Sequence, residues 1–145
     1  MAVPELGAEL AREFAQAVLR RRWPDLLPLL SSELRAQRTA ETLAAEFGWK
    51  QLLPRLKQMH SDLTGEDPST LPNLDPPKRF EEFEMDEGQR DTPPNFDPSV
   101  PFGWVEVDFY PSEDSEFDNC YNCFLIVIDE EGPRVAAYFI ESAME

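Results

Sequence analysis

The hydrophobic period of the chain changes once, near His60, and that single switch constrains the fold more than any other feature. Before it, Leu6, Leu10, Phe14, Ala17 and Val18, then Arg21, recur at the three-and-four spacing of a helix, with Arg12, Glu13, Gln16 and Arg20 on the other side. This predicts a helix from about Pro4 to Arg22. Trp23-Pro24 ends it, because the residue before a proline is pushed out of the helical region, and Pro24 suits the first turn of a short helix carrying Leu26, Leu27, Leu29 and Leu30. Thr39 is a good N-cap for a third helix with Leu43, Ala44 and Phe47 facing inward, ended or bent by Gly48. Trp49, Leu52, Leu53, Leu56 and Met59 continue a helical stripe, in which Pro54 belongs near a start or a kink. Residues from about 4 to 60 are therefore expected to be helical.

Beyond His60 the pattern is that of loops and strands. Residues 61–77 have no period and are dense in turn formers, so they read as a loop. Arg79 to Glu87 alternates, with Phe83 and Met85 on one face and Phe80 on the other, and predicts a strand. Gln89 to Pro101 is a Pro- and Asp-rich connection. Trp104 to Tyr110 is a second strand, with Val105, Val107 and Phe109 pointing one way and Trp104, Glu106, Asp108 and Tyr110 the other. After an acidic loop from Pro111 to Asn119, Tyr121 to Asp129 and Arg134 to Glu141 form a β-hairpin about Glu130-Glu131-Gly132-Pro133. Helices first and strands after give an α+β class with an antiparallel sheet, in one domain spanning 1–145 whose strands and loops occupy 78–145. Both faces of Tyr121 to Ile128 are apolar, so one packs the helices and the other needs cover. The candidates for that cover are the Pro-rich segment and a second copy of the chain, which would make a homodimer through the outer sheet face.

Charge narrows the partners. The 145 residues carry a formal net charge of -16, from 13 Lys and Arg against 29 Asp and Glu. Residues 1–60 hold nine cations and seven anions, and residues 61–145 hold four and 22, so the first part is +2 and the second -18. Such acidity speaks against nucleic acid or an anionic membrane as partner unless a basic patch is segregated. No apolar run is long enough to span a membrane, the N-terminus lacks the marks of a secretory signal, and two cysteines make no disulfide framework. A reducing cytoplasm is the expected compartment.

The order of elements resembles the nuclear transport factor 2-like superfamily, the cystatin-like, cone-shaped α+β folds. The resemblance rests on the long N-terminal helix, the Pro24 to Leu30 helix running into Ser31-Ser32-Glu33-Leu34-Arg35, and the Thr39-Ala40-Glu41-Thr42-Leu43 helix start. It rests also on the strands Gly103 to Asp108 and Phe124 to Asp129, closed by Arg134 to Ile140. It implies a curved sheet wrapped around the long helix, a pocket at the wide end in some members, and dimers through the outer sheet face. It implies no single function, since the scaffold hosts isomerases, cyclases, transport factors and non-catalytic binders.

Few residues carry chemistry. Cys120 and Cys123 form a C-x-x-C, but the motif opens a strand, where positions three apart point to opposite faces, so ordinary structural cysteines are expected. His60, the single histidine, sits at the predicted end of a helix and reads as a partly exposed terminal residue. An isomerase or cyclase would need a pocket carboxylate and a phenol, for which Asp108, Glu106, Tyr110 and Tyr138 are the residues of the right type. Glu106 and Asp108 are expected on the outer face, away from the apolar interior. No acidic stretch has the spacing of a calcium loop, and the sequence calls for no cofactor and no metal. The acidic half is instead suited to a basic protein partner, as in inhibitors and immunity proteins, with aromatic anchors rimmed by charge. Phe80, Phe83, Trp104, Phe117 and Tyr121 are the anchors so expected, and Glu113, Asp114, Glu116 and Asp118 the charges. A non-enzymatic binding domain is the first expectation, and a small-molecule pocket protein or isomerase-type enzyme the alternative.

Overall fold

The computed structural model describes residues 3–70, 76–85, 102–110 and 121–142, and the side chains of residues 7–70, 76–81, 103–110 and 121–142. Four α-helices precede four strands: α1 (Val3–Leu19), α2 (Ser32–Arg35), α3 (Ala40–Phe47), α4 (Trp49–Thr64), then β1 (Arg79–Met85), β2 (Phe102–Tyr110), β3 (Tyr121–Asp129) and β4 (Pro133–Ser142). The Pro24 segment is a 3-10 helix, Trp23–Leu29, with the proline in its first turn. The chain is α+β, as the single change of period predicts, and the strands form one antiparallel sheet in the order β1-β2-β3-β4.

Each helix end has a local cause. Past α1, Arg22 N–H reaches Ala17 C=O at 2.9 Å and Arg21 N–H reaches Val18 C=O at 3.1 Å, a Schellman stop with Arg21 in the left-handed region at φ 56°. Ser31 caps α2 by accepting from Leu34 N–H at 3.2 Å, and its own N–H donates to Val135 C=O at 2.8 Å, tying this segment to β4. Thr39 and Thr42 cap α3 reciprocally. Gly48 joins α3 to α4 without a loop, and a Cβ there would stand 2.4 Å from Ala44 C=O.

Two structural features depart from the expectation. α4 runs to Thr64, four residues past His60, and stops at Gly65, whose φ of 80° suits glycine. Ser61 to Thr64 were expected to be loop because of their turn-forming residues, yet the helical ladder absorbs them. In consequence His60 is not a partly exposed terminal residue but a buried one, 8% exposed, with Nε2 3.5 Å from Glu66 Oε2. Of the two places expected for Pro54, a start or a kink, the start is not the one taken: it lies inside α4.

The sheet has two distinct faces. Its inner face, Val105, Val107, Phe109, Tyr121, Cys123, Leu125, Val127 and Val135, packs on Leu10, Phe14 and Val18 of α1 and on Leu43, Phe47, Leu52 and Leu56 of α3 and α4. Trp104, Phe124 and Ile126 form a second buried cluster on the outer face, with Ala136, Ala137 and Phe139 against it. The apolarity of both faces of β3 is thus used on both. Of the Pro-rich segment 61–101, one of the two covers expected for the outer face, residues 71–75 and 86–101 lie outside the described residues. One extra residue in β4, at the register shift between Ile126 and Val127, separates the pairs Ile126 with Ala137 and Val127 with Val135.

The α3–α4 junction depends on the missing Cβ. Gly48→Ala is expected to lower stability by about 1–3 kcal/mol, the usual cost of overpacking, because the new methyl meets the Ala44 backbone oxygen; the Gln51 side chain, at 2.8 Å, can swing aside but the helix backbone cannot. Chemical denaturation of the variant measures it, and an unchanged midpoint would show that the junction can relax.

Candidate functional site

The register of β1 on β2 builds a carboxylate cluster on the outer face. Glu81 stands opposite Asp108, Arg79 opposite Tyr110, and the backbone of Phe83 opposite Glu106. Across β2, Asp108 pairs with Asn122 and Glu106 with Phe124. Side chains two apart on a strand share a face, so Glu106, Asp108 and Glu81 converge, and Arg79 is the cation at their edge. Arg79 bonds Glu81 Oε1 at 3.0 Å and lies over the Tyr110 ring with its guanidinium carbon 3.9 Å from the centroid. Tyr110 donates to Glu81 Oε2 at 3.3 Å.

Asp108 takes the strain of this arrangement. Burial first, then hydrogen bonding to Glu106 and the charges of Glu106 and Glu81, push its carboxyl up to about 8. Its Oδ1 is buried and has no hydrogen-bond partner among the described residues. Near neutral pH the group is therefore mostly protonated, and the cluster lowers its own repulsion by holding a proton. Burial and Glu81 likewise raise the Tyr110 phenol.

A second polar cluster lies on the other side of the sheet. Tyr138 donates to Glu46 Oε2 at 2.6 Å and accepts from Arg38 Nε at 3.0 Å, while Arg38 Nε stands 2.9 Å from Glu46 Oε1. The Tyr138 ring packs on Phe14 and Phe47, at 6.1 and 5.2 Å between centroids. Burial and the bond to Glu46 hold the phenol well above its ordinary range. Donor and acceptor are both occupied, so the group acts as a brace between α3 and β4. The four residues named for isomerase chemistry are thus divided by the sheet: Asp108, Glu106 and Tyr110 outside, Tyr138 inside.

The expected docking anchors are placed as follows. Phe80 is half-buried on the inner face, with its ring 6.4 Å from Phe109. Tyr121 is fully buried between Phe109, stacked at 4.6 Å, and Trp49 at 6.3 Å. Trp104 is 1% exposed and stacks on Phe139 at 6.0 Å. Trp104 and Tyr121 are therefore packing residues in this chain, one for each face. Phe83 contributes its backbone to β1, and Glu113, Asp114, Glu116, Phe117 and Asp118 lie outside the described residues. Arg79 is a residue the sequence did not single out, and Glu81 entered only as part of an acidic stretch; the alternation of the strand puts both on one face, and the register on β2 brings that face to Asp108.

Cys123 is buried on the inner face, where desolvation and Glu46 raise its thiol far above the reactive range. Cys120 lies outside the described residues. Among the described residues no group of three or more His, Cys, Asp or Glu is arranged to hold a metal ion, and no helix is long and apolar enough to cross a membrane. Comparison with protein families, curated proteins and solved structures finds no match to this chain.

Two outcomes test the clusters. An unfolded aspartate titrates near 4 and the folded Asp108 near 8, so between about pH 4 and 8 the folded chain holds a proton that the unfolded chain lacks. This contribution makes stability fall as pH rises through that window, is absent below it and constant above it. Solvent at the half-exposed site keeps the slope well under the unscreened ~1.36 kcal/mol per pH unit. Asp108→Asn should remove this part of the slope and raise the melting temperature more at about pH 9 than at about pH 4; an equal change at both would show that Asp108 titrates normally. For the inner cluster, Tyr138→Phe should cost about 1.5 kcal/mol in denaturation, and a double-mutant cycle with Glu46→Gln should show coupling, since a bond to a charged acceptor is lost.

Proposed function

We propose that this chain is a non-enzymatic, cytoplasmic binding domain of the nuclear transport factor 2-like kind, which docks a basic protein partner on its acidic outer face. The observation that carries the reading is Asp108: a half-buried carboxyl with an unpaired oxygen, beside Glu106 and Glu81, with Arg79 already engaged by Glu81. Such a cluster is destabilising in isolation and is relieved by any cation that reaches it. A lysine or arginine from a partner would satisfy the Oδ1 acceptor and replace the proton. The apolar cluster of Trp104, Phe124 and Ile126 on the same face supplies a rigid floor beside the charges. Long-range attraction from the -18 half of the sequence would speed the encounter.

A small-molecule enzyme has one observation in its favour, a carboxyl that titrates near neutrality, as acid–base catalysis requires. It is the weaker reading, because Tyr138 is on the opposite face and saturated by Glu46 and Arg38.

A lysine-rich peptide probe decides between them. The native chain should bind it at low salt and lose most of the affinity by about 0.15 M, where the reach of exposed charge falls to roughly 8 Å. Glu81→Gln with Glu106→Gln should weaken binding several-fold, and neutralising Glu113, Asp114, Glu116 and Asp118 together should slow association while leaving the melting temperature unchanged or raised. Binding should tighten from about pH 6 to about pH 8 as Asp108 becomes free to ionise. An affinity that ignores salt, pH and these substitutions would refute the acidic face as the docking site.

A further inference from the structure

Three cations of this acidic chain meet at one corner. Arg20 follows the last turn of α1, and Lys78 and Arg79 lead into β1. They line a surface groove of about 620 Å³ together with Gln16, Leu19, Pro77 and Phe80. Arg21 lines an adjoining notch, and Arg22 is turned to Asp25 at 4.0 Å. No carboxylate among the described residues lines the groove, although Arg20 also borders a neighbouring groove with Glu9 and Glu13. Among the described residues neither Arg20 nor Lys78 has an ion-pair partner, whereas Arg79 is fixed by Glu81 and the Tyr110 ring.

Cations after a helix offset the negative end of its dipole, which accounts for the arginine run alone. It does not account for Lys78 and Arg79, which come from a different element, nor for Arg21. That residue holds the left-handed position of the Schellman stop, where glycine is less strained by about 1 kcal/mol, yet a long cationic side chain is kept there. Arg21 lines a small notch of about 40 Å³ together with the half-buried rings of Trp23 and Trp49. The notch and the groove share Leu19 and Pro77, so flat aromatic surface adjoins the unpaired cations.

Sign and size then select the ligand. Guanidinium and ammonium groups free of carboxylates match phosphate oxygens, with arginine forks favouring bidentate contact. The net charge of -16 repels a long polyanion at every distance beyond the corner, but penalises a compact one carrying a few charges much less. A groove of about 620 Å³ is in the range of small-ligand sites. We infer that this corner is a binding site for a small phosphorylated ligand of nucleotide size, its phosphates between Arg20 and Lys78 and its ring toward Trp23 and Trp49. The site shares only Arg79 with the proposed docking of a basic partner and does not depend on it.

Amide chemical-shift mapping with inorganic pyrophosphate and with ADP tests the inference. Both should shift the amides of Gln16 to Arg22 and of Lys78 to Phe80 saturably. ADP should bind more tightly than pyrophosphate and quench tryptophan emission. Arg20→Ala with Lys78→Ala, both at exposed positions, should weaken ADP by about tenfold or more at an unchanged melting temperature, as expected for two lost charged contacts. The inference is overturned if neither probe saturates by about 10 mM at low salt, if the double variant binds ADP as the native chain does, or if a polyglutamate peptide occupies the corner more tightly than ADP.

Discussion

The contact on which the rest depends is the approach of α1 to the middle of the sheet. At Gly7 a single added Cβ would stand 2.9 Å from Val105 Cγ2 and 3.3 Å from Val127 Cγ2, so the helix backbone lies nearly on the side chains of the two central strands. With that distance set, Phe14 two turns later is fully buried and meets Phe47 edge-on at 5.6 Å and Tyr138 at 6.1 Å. The ring cluster in turn places α3 over β4, and the Tyr138–Glu46–Arg38 brace closes the same interface with polar bonds at its half-exposed rim. Burial makes those bonds worth more than they would be in water, because leaving any member unpaired would expose a desolvated group.

Filling the inner face with apolar residues has a direct consequence for the outer one. Strand alternation leaves Glu106, Asp108 and Tyr110 no choice of side once Val105, Val107 and Phe109 face α1. β2 is a central strand, so its outward carboxylates are flanked by β1 and β3 and cannot swing into solvent as they would at an edge. Opposite Asp108 the register brings Glu81, not a cation, and the guanidinium of Arg79 is shared between Glu81 and the Tyr110 ring. The elevated Asp108 carboxyl is thus the result of core packing on the far side, transmitted through the pleat.

Sequence pattern was sufficient wherever one period ran uninterrupted. β3 occupies Tyr121–Asp129, the residues expected, because a two-sided apolar strand next to a Gly-Pro turn has no helical alternative of that length. The sides assigned to Val105, Val107 and Phe109 against Trp104, Glu106 and Asp108 follow from the same alternation. The end of α4 was misplaced because Ser61, Asp62 and Thr64 are weak helix formers individually, and only Gly65 marks the stop. Exposure was misjudged for Trp104 and Tyr121, since alternation tells which face a ring occupies and not how deeply it is covered. The two polar clusters were out of reach for a different reason. Tyr138 and Glu46 are 92 positions apart, and Glu81 meets Asp108 only through the strand register, so no local spacing encodes either contact.

The distribution of charge joins these points. A chain of net charge -16 would gain solubility from acids scattered over its surface, and nothing in that role requires them to be crowded on a central strand. Here the acids of β1 and β2 are held close enough for one to keep its proton, while cations collect at the end of α1 beside the start of β1. Arg79 belongs to both regions: its guanidinium is turned to Glu81 and Tyr110 on the outer face, and the residue also lines the groove with Arg20 and Lys78. Segregation of this kind costs like-charge repulsion at both places, a cost an evenly mixed surface avoids. What offsets it in the folded chain is proton uptake at one end and the dipole of α1 at the other, each only in part. The residual electrostatic strain would be lowered further by an opposite charge arriving at either region, which is the physical basis on which both proposed sites rest.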